Sequence, residues 1–323
     1  MNKFLAGLMM TGFTIGLLAG CGQAPQNGNK TGGASANNES NNLASEPSTT
    51  QHDSSQKVSS LVSKLGFPAP LHTIVVIEEN HSYAEIAGNP HAPYINSLMQ
   101  NGANMTNAHG VEHPSQPNYL DLFSGSNQGI TSDACPNTLS EPNLATELTA
   151  AHLTFIGYSE SMPKVGYTGC SNASFLSSGT YARKHSPWVN FTNIAASENV
   201  PWSDFPGNFH DLPTVSFVIP NLNNEMHNGT VAHGDTWLKT NLSAYAKWAM
   251  THHSLLIVTF DEDDGSRVNQ IPTVFIGQMV KPGQYNQIVN HYNVLRTIED
   301  LYNLPYLGHS ANVTRLQGIW TKA

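Results

Sequence analysis

Charge is scarce in this chain. Asp, Glu, Lys and Arg together make up 11% of it, against about 25% in an ordinary soluble domain. Basic residues number 14 against 23 acidic ones, the formal net charge is −9, and no Lys/Arg stripe is present. This argues against a nucleic-acid partner, because clustered positive charge is what holds a phosphate backbone. The surface must rely instead on Asn, Ser, Thr and Gln. Such a composition fits an acidic habitat, and it predicts a flat stability curve from neutral pH to about pH 3–4. Cysteine is also sparse, with three in all. The apolar run from Phe4 to Leu18, behind Lys3, is short and interrupted by glycine. It reads as a signal peptide over 1–20, not as a membrane span.

Leu18-Ala19-Gly20-Cys21 ends that run and resembles a bacterial lipobox, in which the Cys becomes the lipidated first residue. The chain is therefore expected to be exported and held at the outer face of the bacterial cell membrane. Its contact with the membrane would be through the Cys21 lipid alone. Residues 22–57 are rich in Gln, Asn, Ser, Gly and Thr. Such a tract cannot offset its ordering entropy by burial, and is expected to be a disordered polar tether. Residues 58–323 are then a single domain with ample material for one core. Cys135 and Cys170 remain as one candidate pair. The oxidising setting of an exported protein favours a disulfide over two free thiols.

Strand and helix patterns alternate along the domain. Buried strands are expected over 72–78, 153–158, 214–219, 254–260 and 271–276, with a short one over 104–108. Helices are expected over 90–101, 143–151, 236–250 and 292–301. This order predicts an α/β fold, a three-layer α/β/α sandwich with a largely parallel central sheet.

The segment His113-Pro-Ser-Gln-Pro-Asn-Tyr-Leu-Asp-Leu-Phe-Ser-Gly125 places one hydroxyl, Ser115, just ahead of a helical run. Ser115 can be read as a helix cap, or as a nucleophile where N–H groups and the helix dipole favour an anion. Polar clusters fall after the strands: Glu78-Glu79-Asn80-His81, then Glu225-Met-His227 with His233-Gly-Asp235, then Asp261-Glu262-Asp263-Asp264. His291 stands before the last helix. The carboxyl edge of an open α/β sheet is where ligands bind. Carboxylate and amide oxygens suit a hard divalent cation, and His can hold or protonate a phosphate. Taken singly, each cluster also reads as ordinary solvated loop or turn chemistry.

At these residues the chain resembles the bacterial phosphoesterase family of secreted acid phosphatases, phosphatidylinositol phosphatases and phospholipases C, within the alkaline phosphatase superfamily. The likeness runs from about 70 to 310. It is carried by Ile-Glu-Glu79-Asn80-His-Ser-Tyr83, the Ser115 segment, Tyr181-Ala-Arg-Lys184-His185-Ser-Pro-Trp188, Gly234-Asp235-Thr-Trp-Leu238, Thr259-Phe-Asp261-Glu262 and His291-Tyr-Asn-Val-Leu-Arg296. The resemblance implies metal ligands at Glu79, Asn80, Asp261 and Glu262, with Asp235 as ligand or support. It implies a nucleophile at Ser115, and His227 and His291 lining the phosphate site, one of them as general acid. Lys184, His185 and Asn118 are expected to contact substrate.

The Asp-x-x-x-His spacing of two-metal relatives is missing after Asp261, so a single divalent metal ion is expected. Asp263-Asp264-Gly265 replaces the His-Gly-Gly of phospholipase C relatives, which favours monoesters over diesters. The expected activity is thus a metal-dependent acid phosphatase acting on a phosphorylated small molecule or phosphoinositide-like substrate. A phosphodiesterase of phospholipase C type is the second reading. A non-catalytic solute-binding lipoprotein is a third, of another class.

Overall fold

A computed structural model describes residues 56–321. The expected signal peptide, Cys21 and nearly all of the polar tether lie outside the described residues. Among the described residues, no helix is long and apolar enough to cross a membrane.

The β-branched runs form the centre of the molecule. β1 (Thr73–Glu78), β4 (Phe155–Ser159), β6 (Val215–Ile219) and β7 (Leu255–Phe260) are buried along almost their whole length. Such continuous burial marks strands covered on both faces. They lie parallel in the order β7-β1-β6-β4, and β5 (Asn199–Pro201) extends that edge. Beyond β7 comes β9 (Thr273–Gly277), antiparallel, then β2 (Ala103–Met105) and β10 (Gly283–Tyr285). A small second sheet joins β3 (Ala108–His109) to β8 (Gln270–Ile271) and β11 (Val289–Asn290).

Helices complete the layers: α1 (Tyr83–Ile86), α2 (Pro93–Asn101), α3 (Ser115–Ser124), α4 (Leu144–Ala150), α5 (Val231–Ala249) and α6 (His291–Leu301). α3 packs with α6, and α2 packs with α5. Beneath α3, the rings of Phe123, Phe155 and Phe217 meet one another, and Phe155 and Phe217 meet Trp188. Each buried ring contributes about 1.5–3 kcal/mol of transfer free energy, so α3 is seated firmly. Gly125 ends α3 at φ 73°. A Cβ there would lie 2.0 Å from the Leu307 carbonyl oxygen. Only glycine allows that turn and that approach.

Several boundaries differ from the sequence expectations. The strand expected over 104–108 is two short strands, β2 and β3, in different sheets. The strand over 271–276 is broken at Pro272 into β8 and β9, since proline has no N–H for a ladder. α2 starts at Pro93 rather than Pro90, with proline in its favoured first position. α5 begins at Val231, where the Thr230 hydroxyl accepts from the His233 N–H at 3.3 Å. His233, Gly234 and Asp235 are therefore helical, not loop. A Cβ on Gly234 would meet Met226 at 2.4 Å, so glycine lets the segment after β6 pack on this turn.

Candidate active site

Main-chain hydrogen bonds carry the sheet register past the strand ends and draw the polar clusters together. The Asp261 N–H donates to the Glu78 carbonyl at 3.0 Å, and the Glu79 N–H to the Glu225 carbonyl at 2.8 Å. Residues following β7, β1 and β6 thus converge at one carboxyl edge. Asn80 turns away from β1 at φ 54°, a left-handed conformation that Asn tolerates better than most residues. Its side-chain Nδ2 donates to Glu79 Oε2 at 2.8 Å, and its N–H donates to Asp261 Oδ1 at 3.1 Å.

Ser115 is the first residue of α3, and Pro114 occupies the cap position. Its hydroxyl does not cap the helix. Ser115 Oγ lies 3.1 Å from Glu79 Oε2 and 3.2 Å from Glu262 Oε1. One hydroxyl proton serves only one of these two acceptors. The start of α3 is also less open to an anion than the sequence suggests. The Gln116 N–H donates to Asp133 Oδ1 at 3.0 Å, and Pro117 has no N–H.

His185 shows the same surplus of acceptors. Its Nδ1 is 2.7 Å from Glu225 Oε1, and its Nε2 is 3.0 Å from Glu79 Oε1. The second contact lacks hydrogen-bond geometry, so the buried Nε2 has no hydrogen-bond partner although Glu79 is close. The ligand atoms of Glu79, His185 and His227 lie within 4.8 Å of one another. A carboxylate that fixes a His tautomer from behind is the usual support for a metal-ligating nitrogen. Asp261 Oδ2 and Glu225 Oε2 are also buried without a hydrogen-bond partner. The carboxylate and imidazole donors of the Glu79, His185 and His227 group fit a divalent cation, with the orphaned Asp261 and Glu225 oxygens buried at the same sheet edge.

Electrostatics point the same way. Burial, reinforced by neighbouring carboxylates, pushes Glu79, Glu225 and Asp261 well above the usual range. Burial also raises Glu262, against the pull of His113. Burial, with Lys184 and His227 nearby, holds His185 well below the ordinary imidazole value. Burial opposes the charge on Lys184, but Asp133, Glu79 and Asp261 outweigh it and its pKa rises. A divalent cation would relieve the repulsion among the carboxylates.

Outside this cluster, burial pushes Asp121 and Glu299 up to about 7. A carboxyl raised on folding contributes stability that is full below its unfolded pKa and lost as pH rises through the folded value. His291, lowered to about 4 by burial, acts in the opposite sense between about 6.5 and 4. Raised carboxyls outnumber lowered imidazoles. In place of the flat curve that the composition predicts, the chelator-treated protein is therefore expected to melt at a higher temperature at pH 5 than at pH 7.5. Thermal unfolding at the two pH values tests this, and a lower melting temperature at pH 5 would contradict it.

The other expected site residues make the following contacts. Asn118, expected to contact substrate, has both ends of its buried amide bonded to the main chain. Its Oδ1 accepts from the Val111 and Glu112 N–H groups at 2.8 and 3.1 Å, and its Nδ2 donates to the Glu112 and Pro114 carbonyls. It holds the loop that presents Ser115. Asp235, expected as ligand or support, accepts from the Ile95 N–H at 2.8 Å and so caps α2. His291 Nε2 meets the Asp261 main-chain oxygen at 2.6 Å. Burial lowers that ring to about 4, and its Nδ1 is buried without a hydrogen-bond partner. Lys184 pairs with Asp133 at 2.6 Å, which ties it to the first turn of α3.

The sequence reading gave no individual role to Tyr119, Glu225 or His113. Tyr119 Oη donates to Glu79 Oε1 at 2.5 Å, and its ring stacks on His185. It lies four residues after Ser115 on one helix, so helical spacing could have paired them. His113 Nδ1 meets Glu262 Oε2 at 2.6 Å and fixes that carboxylate. A disulfide joins Cys135 to Cys170, with Cα atoms 5.9 Å apart. It ties the loop after α3 to the segment leading into Lys184 and His185.

Comparison with known proteins identifies the family. The phosphoesterase family model matches residues 89–305. A phosphatidylinositol-3-phosphatase of Mycobacterium tuberculosis is 53% identical over 256 residues, covering 78% of this chain and 84% of that protein. A probable acid phosphatase of Kluyveromyces lactis is 26% identical, and the match covers 81% of this chain and 66% of that one. Among solved structures, a protein in the alkaline phosphatase superfamily from Vibrio parahaemolyticus superposes with a TM-score of 0.55 at 12% identity, over 84% of this chain and 80% of that one. The lipoteichoic acid synthase LtaP from Listeria monocytogenes gives 0.50 at 10% identity, over 77% and 73%. These last two likenesses concern the fold.

Proposed function

The chain belongs to the phosphoesterase family, and from that premise we propose that it is a metal-dependent acid phosphatase that cleaves phosphate monoesters through a phosphoserine on Ser115. One observation carries the reading: Ser115 Oγ stands between Glu79 and Glu262, at 3.1 and 3.2 Å. Membership of a family of phosphoric ester hydrolases sets aside the solute-binding reading.

Glu79, Asn80, Asp261 and Glu262 would hold the cation on the Ser115 side, with the bare Nε2 of His185 facing the other oxygen of Glu79. A divalent cation bound there supplies charge that stabilises a serine alkoxide and the equatorial phosphoryl oxygens. Ser115 Oγ attacks phosphorus in line and gives its proton to a flanking carboxylate. The ester P–O bond breaks, and protonated His227 passes its proton to the departing oxygen. Neutral His227 then takes a proton from water, which attacks the phosphoserine. The P–Oγ bond breaks and Ser115 recovers its proton from the carboxylate.

The name of the Mycobacterium tuberculosis relative supports a lipid phosphomonoester of phosphoinositide type as substrate. The proposed setting is the outer face of the cell membrane, reached by export and lipidation at Cys21. Parallel assays on p-nitrophenyl phosphate, bis(p-nitrophenyl) phosphate and a choline phospholipid test the reaction class. The monoester is expected to turn over fastest, to stop after chelation and to recover with added divalent metal. Faster cleavage of either diester would favour the phospholipase C reading.

A further inference from the structure

Resting on the reading of a lipid phosphomonoester substrate, we propose that the hairpin over 171–182 is a membrane-contact element, with Phe175 and Leu176 entering the lipid surface and bringing the site to headgroups. Phe175 and Leu176 are 101% and 92% exposed, the most solvent-exposed large apolar side chains among the described residues. They are consecutive and sit at the tip of a tight turn. The Ser174 N–H donates to the Ser177 carbonyl at 2.9 Å, and the Ser177 N–H to the Ser174 carbonyl at 3.2 Å.

The hairpin is built to hold that tip out. Its base is closed by a bridge between Ser171 and Ala182 and by the bond from the Arg183 N–H to the Cys170 carbonyl at 3.0 Å. The Cys135–Cys170 disulfide anchors the base. Asn172 Oδ1 accepts from the Thr180 and Tyr181 N–H groups at 2.7 and 2.9 Å, and its Nδ2 donates to the Ser161 carbonyl. The Leu222 N–H donates to the Thr180 carbonyl at 2.8 Å. Ser161 follows β4 and Leu222 follows β6, so the hairpin rises from the carboxyl edge that carries the site. Its second arm runs directly into Lys184 and His185.

Charge complements an anionic lipid surface. Between Glu160 and Glu198 the chain has no Asp or Glu, although it carries 23 in total and a net charge of −9. Of the fixed charges in that stretch, Arg183 is buried and bonded to the main chain and Lys184 is paired with Asp133, which leaves Lys164, exposed beside exposed Val165, to meet anionic headgroups. Size argues against a protein partner. Two protruding side chains are far short of the roughly 800 Å² per partner that a stable protein interface buries. They are enough to partition into a lipid boundary, where burial of each is worth about a tenfold change or more in binding.

The test uses the full chain with Cys21→Ser, so that no lipid anchor contributes. Against p-nitrophenyl phosphate, the Phe175→Ser/Leu176→Ser double variant should match its parent. Against a phosphatidylinositol monophosphate in phosphatidylcholine vesicles it should lose about tenfold or more. Separately, a Phe175→Trp variant should shift its fluorescence to the blue when those vesicles are added, relative to the parent. Equal vesicle rates for parent and double variant, or no spectral shift, would overturn the proposal. If the parent hydrolyses neither substrate, the phosphatase reading fails, and the spectral shift alone decides whether the hairpin meets the membrane.

Discussion

Ser115→Ala is expected to lower turnover of p-nitrophenyl phosphate by about 10⁴-fold or more, the scale on which loss of a nucleophile acts. The protein should still fold. Glu79 keeps Tyr119 and Asn80 as donors, and Glu262 keeps His113. The missing hydroxyl then costs about 1 kcal/mol. Acid quenching during turnover of ³²P-labelled monoester should leave label on Ser115 in the parent and none in the variant. Substantial residual activity in the variant would remove Ser115 as nucleophile, because the flanking carboxylates cannot replace a covalent step.

Asp261→Asn should act in opposite directions with and without metal. Asp261 is buried among Glu79 and Glu262, its Oδ2 has no hydrogen-bond partner, and burial and like charge both oppose its ionisation. In chelated protein the neutral amide relieves that repulsion, and Asn Oδ1 can keep the Asn80 N–H bond, so the melting temperature should rise. In metal-saturated protein the variant should melt lower than the parent. A ligand present at about a thousand times its Kd stabilises by about 4 kcal/mol, and that stabilisation is lost with the site. Elemental analysis after gel filtration should show metal in the parent and little in Asp261→Asn or Glu79→Ala, with activity falling in parallel. Full metal content in either variant would exclude that residue as a ligand.

What the sequence made legible follows from chain-local physics. The long β-branched runs at 73–78, 215–219 and 255–260 can only be buried strands, and acidic residues directly behind them can only stand at the sheet edge. Glu79, Asp261 and Glu262 were therefore readable, and Ser115 stood out at a helix start. For Asn118 and Asp235 the sequence could not choose, because an amide or carboxylate near such a motif has the same composition whether it meets a ligand or an N–H. The structure assigns Asn118 to the loop before Ser115 and Asp235 to the first turn of α2.

The sequence by itself determined the alternating α/β order, the strand ends where chemistry gathers, and the hydroxyl set among them. Only the tertiary structure decided which groups face one another. It set Nε2 of His185 against Glu79, backed His185 with Glu225, placed Tyr119 behind Glu79, and raised an apolar tip on the arm that leads to Lys184 and His185. The reason is physical. Strand and helix periodicities act over a few residues and survive in one dimension. Hydrogen-bond pairing among buried polar groups joins residues 36 to 147 positions apart, as at Ser115 with Glu79 and Glu262, and depends on register and packing that no local pattern contains.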